Sequence, residues 1–151
     1  MAFKFRFQSI LDLRRRQRDE AGADVGKANQ AIARIDDQAR DVAANRSRLR
    51  NETGGTRVGE VNVEGLISLG RYELQLQSEL AQLAATRTEL VKELDRRQSL
   101  LVEAEAEVKR FEKLQGNERE THQAQMLARE QADADERTSQ AYILARRRPA
   151  S

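Results

Sequence analysis

Two stretches of this chain repeat apolar side chains every three or four residues, and that spacing constrains the fold more than any other feature. In the first, positions 7 to 49 carry Phe7, Leu11, Arg14, Arg18, Ala21, Val25, Ala28, Ile32, Ile35, Ala39, Val42, Arg46 and Leu49, ten of the thirteen being apolar. In the second, positions 66 to 111 carry Leu66, Leu69, Glu73, Leu76, Leu80, Leu83, Arg87, Leu90, Leu94, Arg97, Leu101, Ala104, Val108 and Phe111, eleven of the fourteen being apolar. A repeat of this period puts one apolar stripe on each of two long helices, which must supercoil left-handedly about a partner to bury it. The alanines of the first stripe let helices approach closely but bury less area than leucine.

Between the stripes runs NETGGTRVGEVNVEG, where Asn51, Gly54, Gly55, Gly59 and Gly65 favour turns and the period is lost. This reads as a loop over about 51–64, with Asn62 as the N-cap of the helix that follows. Because the stripes are nearly equal in length, the chain is expected to fold back on itself. The expected fold is all-α, an antiparallel two-helix coiled-coil hairpin. Helix one covers about 3–50 and helix two about 65–145, in a single domain over 1–151. Placing Leu49 beside Leu66 and Phe7 beside Val108 makes paired residue numbers sum to about 115, with a shaft of ~65 Å at 1.5 Å per residue. The competing arrangement is a parallel homodimer of extended chains; the glycine-rich midpoint favours the hairpin and a monomer when free.

Composition agrees with a rod rather than a thick-cored globule. The 151 residues are 34% charged and 4% aromatic, with one Pro and no Cys or Trp, and the net charge is only +2; mean hydropathy is −0.79. Disordered chains are equally polar but lack the periodic stripe. No apolar run approaches the ~20 residues of a membrane span, and Lys4 and Arg6 interrupt any signal-peptide core. The expectation is a soluble cytoplasmic protein without direct membrane insertion.

Three of the four phenylalanines fall in the opening MAFKFRF, five residues ahead of LRRRQR. The hairpin register brings Phe3, Phe5 and Phe7 to the same end as Phe111. A two-helix end is not expected to bury four rings, so at least one should remain for a partner. Beyond Phe111 the stripe fails (Gln115, Glu118, His122, Gln125, Arg129) while helix propensity persists. The second helix should therefore continue unpaired after about 113, with Gly116-Asn117 as its one weak point. A helix polar all round gains little from its own chain and either frays or finds a partner.

Catalytic chemistry has little support. His122 is the sole histidine and sits on the polar extension. No G-x-S-x-G, H-E-x-x-H or cysteine pair occurs, and GGTRVG lacks the Lys-Ser/Thr ending of a phosphate loop. No metal site and no cofactor are expected. The arginine run is diluted by Asp12, Asp19 and Glu20, and residues 114–140 hold six acids against three bases, so nucleic acid is not an expected partner. Arg14 and Arg18 stand apart because they occupy seam positions, where they weaken the local hairpin and hint at use by a partner.

The segments FRFQSILDLRRRQRDEA, LISLGRYELQLQSEL and ADADERTSQAYILARRRP resemble the flagellar FliJ family, over the whole chain. The stalk proteins of injectisomes are the nearest confusable group, and a generic scaffolding coiled coil is the alternative of another class. The resemblance implies a non-enzymatic stalk, similar to the coiled coil of a rotary-ATPase gamma subunit. Such a stalk inserts into the hexameric flagellar export ATPase and promotes its assembly and activity. It also contacts the cytoplasmic domain of the export gate protein and serves export chaperones, so it is held peripherally at the inner face of the membrane. On this resemblance a ring-binding tip would comprise Phe3, Phe5, Phe7, Arg14, Arg15, Arg16, Arg18, Asp135, Glu136 and Ile143. A gate surface would comprise Gln38, Val42, Asn45, Tyr72 and Leu76; the chain departs from the family's commoner pattern in lacking aromatics at Asn45 and Leu49.

Overall fold

The structure, a computed structural model, describes residues 2–56 and 63–147. They form two helices, α1 (Gln8–Thr56) and α2 (Val63–Arg147), with no strand among the described residues. The second helix, 85 residues, is much longer than the first, 49, and the two pack as an antiparallel hairpin. By their contacts the residues divide into two compact units: Gln17–Ala104, and the remainder up to Arg16 together with the chain from Glu105.

In the first of these units the heptad reading fixes the packed face. Every seam position of α1 from Arg18 to Leu49 is buried or half-buried, as is every seam position of α2 from Leu69 to Ala104 except Arg87. The core is thin: Ala28, Ile32 and Leu76 are the buried apolar residues here. At Gly22 an added Cβ would lie 4.0 Å from Leu101 Cδ1, which shows how closely the small residues of α1 let the helices approach.

The register differs from the one expected. Arg50 Nε donates to Glu73 Oε1 at 2.9 Å and Arg87 Nε to Asp36 Oδ1 at 2.8 Å. Both pairs sum to 123, not to about 115. Two seven-residue repeats stay in phase when slid by about one heptad, so apolar spacing alone cannot choose between such registers. The polar groups flanking the seam choose: Arg46 joins Arg50 on Glu73, at 3.7 Å, and Arg97 Nη1 donates to the Asp24 carbonyl at 2.8 Å.

Helix α1 also ends later than expected, at Thr56, and runs through Gly54 and Gly55. A helical glycine costs about 1 kcal/mol relative to alanine, which need not stop a helix already docked by Arg46 and Arg50. Helix α2 is helical from Val63. The heart of the expected loop, with Gly59 and the Asn62 cap, lies outside the described residues.

The second unit is built on the aromatic start. Residues 2–5 are neither helix nor strand; a turn follows, in which the Gln8 N–H donates to the Phe5 carbonyl at 3.2 Å, and α1 begins. Leu11 is fully buried, Val108 and Phe5 are buried, and Phe3, Phe7, Phe111 and Leu114 pack against them. Gln115 Nε2 donates to Gln8 Oε1 at 3.1 Å, and Arg15 Nη2 to Glu112 Oε1 at 3.3 Å.

The expectation of a ring left over therefore fails. All four phenylalanines are buried or half-buried, because the non-helical residues ahead of α1 continue along α2 instead of ending with the first helix. That strap carries contacts to Glu118 and His122, past the expected limit near 113. The helix passes unbroken through Gly116-Asn117, and every residue from Leu127 to Arg147 is exposed.

Candidate interaction surfaces

The aromatic end is an ordered stack. Phe5 meets Phe7 edge-on with centroids 5.9 Å apart, and Phe7 meets Phe111 at 6.5 Å and 66°, both within the range where tilted ring pairs attract. Phe3 lies 5.6 Å from the His122 ring, and the Arg119 guanidinium sits 5.6 Å from the Phe3 centroid. On the other side the Arg6 guanidinium covers Phe7 at 4.5 Å. Cations over ring faces add attraction of about 0.5–1 kcal/mol at exposed sites. Sequence reasoning missed Arg119 and His122 as parts of this cluster; a register about one heptad further along α2 would have found them. A groove of about 320 Å³ runs between Phe3 and Lys4 on one side and Asn117, Glu118, Thr121, His122 and Gln125 on the other.

The arginines of the opening segment are partly engaged within the chain. Arg15 pairs with Glu112; Arg18, in the other unit, pairs with its neighbour Asp19 at 3.2 Å; Arg14 is half-buried and Arg16 exposed. Asp135, Glu136 and Ile143 are exposed on the last turns of α2, together with Leu127, Tyr142 and Leu144. Arg146 lies over the Tyr142 ring at 5.2 Å.

The residues expected at a gate surface fall in the Gln17–Ala104 unit and do not share one environment. Gln38 and Val42 line a shallow groove of about 420 Å³ with Asp41, Glu79, Gln82, Leu83 and Thr86. Asn45 is exposed and accepts a hydrogen bond from Arg48 at 2.8 Å. Tyr72 is 44% exposed beside the seam, whereas Leu76 is 3% exposed and belongs to it. A side chain that holds the helices together cannot also be offered to a partner while the hairpin stays closed.

The titrations that shift belong to surface ion pairs. Glu93 is held down at about 2 by hydrogen bonds from Arg96 and Arg97. Glu73 is lowered chiefly by its hydrogen bond from Arg50, and Arg96 is raised by the same Glu93 carboxylate. These groups brace helix faces. Among the described residues there is no cluster of three His, Cys, Asp or Glu able to hold a metal, and no helix is long and apolar enough to cross a membrane.

Two helices packed as a thin-cored antiparallel hairpin, the second running on through some twenty exposed residues, make up a helical coiled-coil protein. The family model described as "Flagellar FliJ protein" matches residues 3–147. The chain belongs to the FliJ family, whose members are stalk components of flagellar protein export. Neither the curated proteins nor the solved structures include a match.

Proposed function

We propose that this chain is the stalk that enters the hexameric ring of the flagellar export ATPase. It promotes the ring's assembly and ATP hydrolysis without catalysing anything itself. It also links the ring to the export gate and the export chaperones, at the cytoplasmic face of the inner membrane. The observation that carries the reading is the run from Leu127 to Arg147, helical and exposed on every side. A helix this polar gains no burial from its own chain, and Leu127, Tyr142, Ile143 and Leu144 offer apolar contact to a surrounding partner.

The roles within the tip divide. Phe5 and Phe7, packed with Leu11, brace the end that presents the helix, and Phe3 closes over His122. Arg14, Arg15, Arg16 and Arg18 would meet acidic loops of the ring, which steer association and tolerate sliding over equivalent subunits. Asp135, Glu136 and Ile143 would touch the ring directly. For the gate, Tyr72 is the proposed anchor, since an exposed aromatic offers large contact area with few rotatable bonds; Gln38, Val42 and Asn45 would extend the surface, and Leu76 would support it from the seam.

The test is ATP hydrolysis by the purified export ATPase with the full chain and with a variant carrying Tyr142→Ala, Ile143→Ala and Leu144→Ala. These side chains are exposed, so helicity should hold while stimulation and ring assembly fall. Full stimulation by that variant, or no association between the full chain and the ATPase, would defeat the proposal and leave a scaffolding coiled coil.

A further inference from the structure

Helix α2 carries a second apolar stripe, well away from the seam. Val63, Ile67, Gly70 and Leu74 follow the 4,3,4 spacing of heptad core positions. All lie in the Gln17–Ala104 unit, and none faces α1. Val63 is 66% exposed, Ile67 51% and Leu74 65%, and nothing lies within 4 Å of where a Cβ on Gly70 would sit. At 100° per residue this stripe is turned about 110° from the centre of the seam. It is also on the opposite flank of the seam from Tyr72, so the gate surface does not account for it.

We propose that this stripe binds the same stripe of a second copy of the chain, antiparallel, about a two-fold axis between residues 68 and 69. The sequence is self-complementary in that orientation. The symmetric register sets Val63 against Leu74 and Ile67 against Gly70, so that in both central layers a branched side chain enters the gap above a glycine. A parallel pair would set Gly70 against Gly70 and leave a hole at its centre.

The flanking charges select the same register. In an antiparallel pair the residues just after the d positions face one another across the axis; here they are Glu64 and Arg71. Each Glu64 meets the other copy's Arg71, and the symmetry makes the contact twice. Sliding the pair by one heptad in the direction of Ala81 would bring Arg71 against Arg71. Exposed ion pairs add little affinity, but unlike charges set orientation and like charges veto the wrong one.

Four core positions per chain fall well short of the ~800 Å² per partner of a standard interface. The dimer is therefore weak and concentration-dependent, and free chain at low concentration is monomeric.

Sedimentation equilibrium of the full chain from ~10 µM to ~1 mM tests this. Reversible dimerisation is expected, weakened at least tenfold by Leu74→Lys with the far-ultraviolet circular dichroism unchanged. Glu64→Arg alone and Arg71→Glu alone should each weaken association, and the two together should restore it. Gly70→Leu should weaken it as well, by refilling the gap that Ile67 occupies. A chain that stays monomeric to ~1 mM overturns the proposal. So does a dimer indifferent to Leu74→Lys, or a double charge swap no better than either single change. The assay contains no ATPase, so its outcome is independent of the stalk reading.

Discussion

Leu11 is the largest fully buried side chain among the described residues, and it sits where Phe5, Phe7, Val108 and Phe111 converge. Leu11→Ala removes three carbons from that cluster, about 2.4 kcal/mol of transfer free energy at ~0.8 kcal/mol per buried CH₂. A cavity term adds to this, and the full range for such changes is about 2–5 kcal/mol. The cluster is one layer thick, and three of its rings are only partly buried, so they can settle into the space. The expected loss is about 3 kcal/mol. Both residues are good helix formers, so propensity contributes almost nothing. Leu13 lies on the same helix but is 44% exposed; Leu13→Ala should cost about 0.5 kcal/mol or less. Amide hydrogen exchange reads the local opening directly. Protection over residues 8–14 and 105–115 should fall about a hundredfold in Leu11→Ala and hardly change in Leu13→Ala. Equal losses in the two variants would refute the packing described here, as would full protection in Leu11→Ala.

Cysteines replacing Asp36 and Arg87 should form a disulfide or short crosslink within one chain at high dilution, whereas cysteines at Ile32 and Leu83, partners in a register summing to 115, should not; the reverse result would restore that register. Glu93 has its carboxyl lowered from 4.5 to about 2, so its ion pairs stabilise the helix above pH 4.5 and are lost as the pH falls toward 2; Glu93→Gln should flatten the decline in thermal midpoint between those values, an effect that salt should shrink. Gly26→Ala should raise stability by about 0.5–1 kcal/mol in urea unfolding, because the helix is unbroken there and nothing lies within 4 Å of the new methyl. Tyr72→Ala should leave helicity intact and weaken binding to the export gate; unchanged affinity in a folded variant would remove that anchor.

The hairpin was legible because burial in a two-helix pair follows residue spacing closely, although Leu66 and Arg87 on the α2 stripe are exposed. The thirteen positions picked by a 3,4 count, Phe7 and twelve on α1, are all buried or half-buried, down to Arg14, Arg18 and Arg46. What spacing could not supply was the slide between the stripes. A heptad repeat is indifferent to a shift of about seven residues, and the information that breaks the tie lies in single flanking pairs such as Asp36 with Arg87, too weak individually to be read without coordinates. The late end of α1 escaped for a related reason: two glycines signal a turn in isolation, but docked neighbours outweigh a penalty of about 1 kcal/mol each. Of the candidate contact residues, Tyr72 and Ile143 are exposed, while Leu76, a seam position by its spacing, is buried there.

The aromatic start teaches the converse. Four rings at the end of two helices imply an excess of apolar surface only if the chain stops being useful where the helix stops. Here the residues before Gln8, which are not helical, run alongside α2, with Arg6 beside Glu118 and Phe3 beside His122. Together with the later register, the strap brings Phe3 to His122 and Arg119, and the boundary between covered and exposed helix moves from about 113 to the neighbourhood of Leu127. The consequence for function is specific. Phenylalanines that seem offered to a partner are packed around Leu11 instead, whereas Arg16, Tyr72, the turns from Leu127 onward and the outer stripe of α2 around Gly70 stay exposed. Substituting Phe5 would therefore disturb binding only by loosening the end, and a loss of ATPase stimulation in such a variant should come with lost amide protection around Leu11; substituting Ile143 should lower stimulation with protection intact.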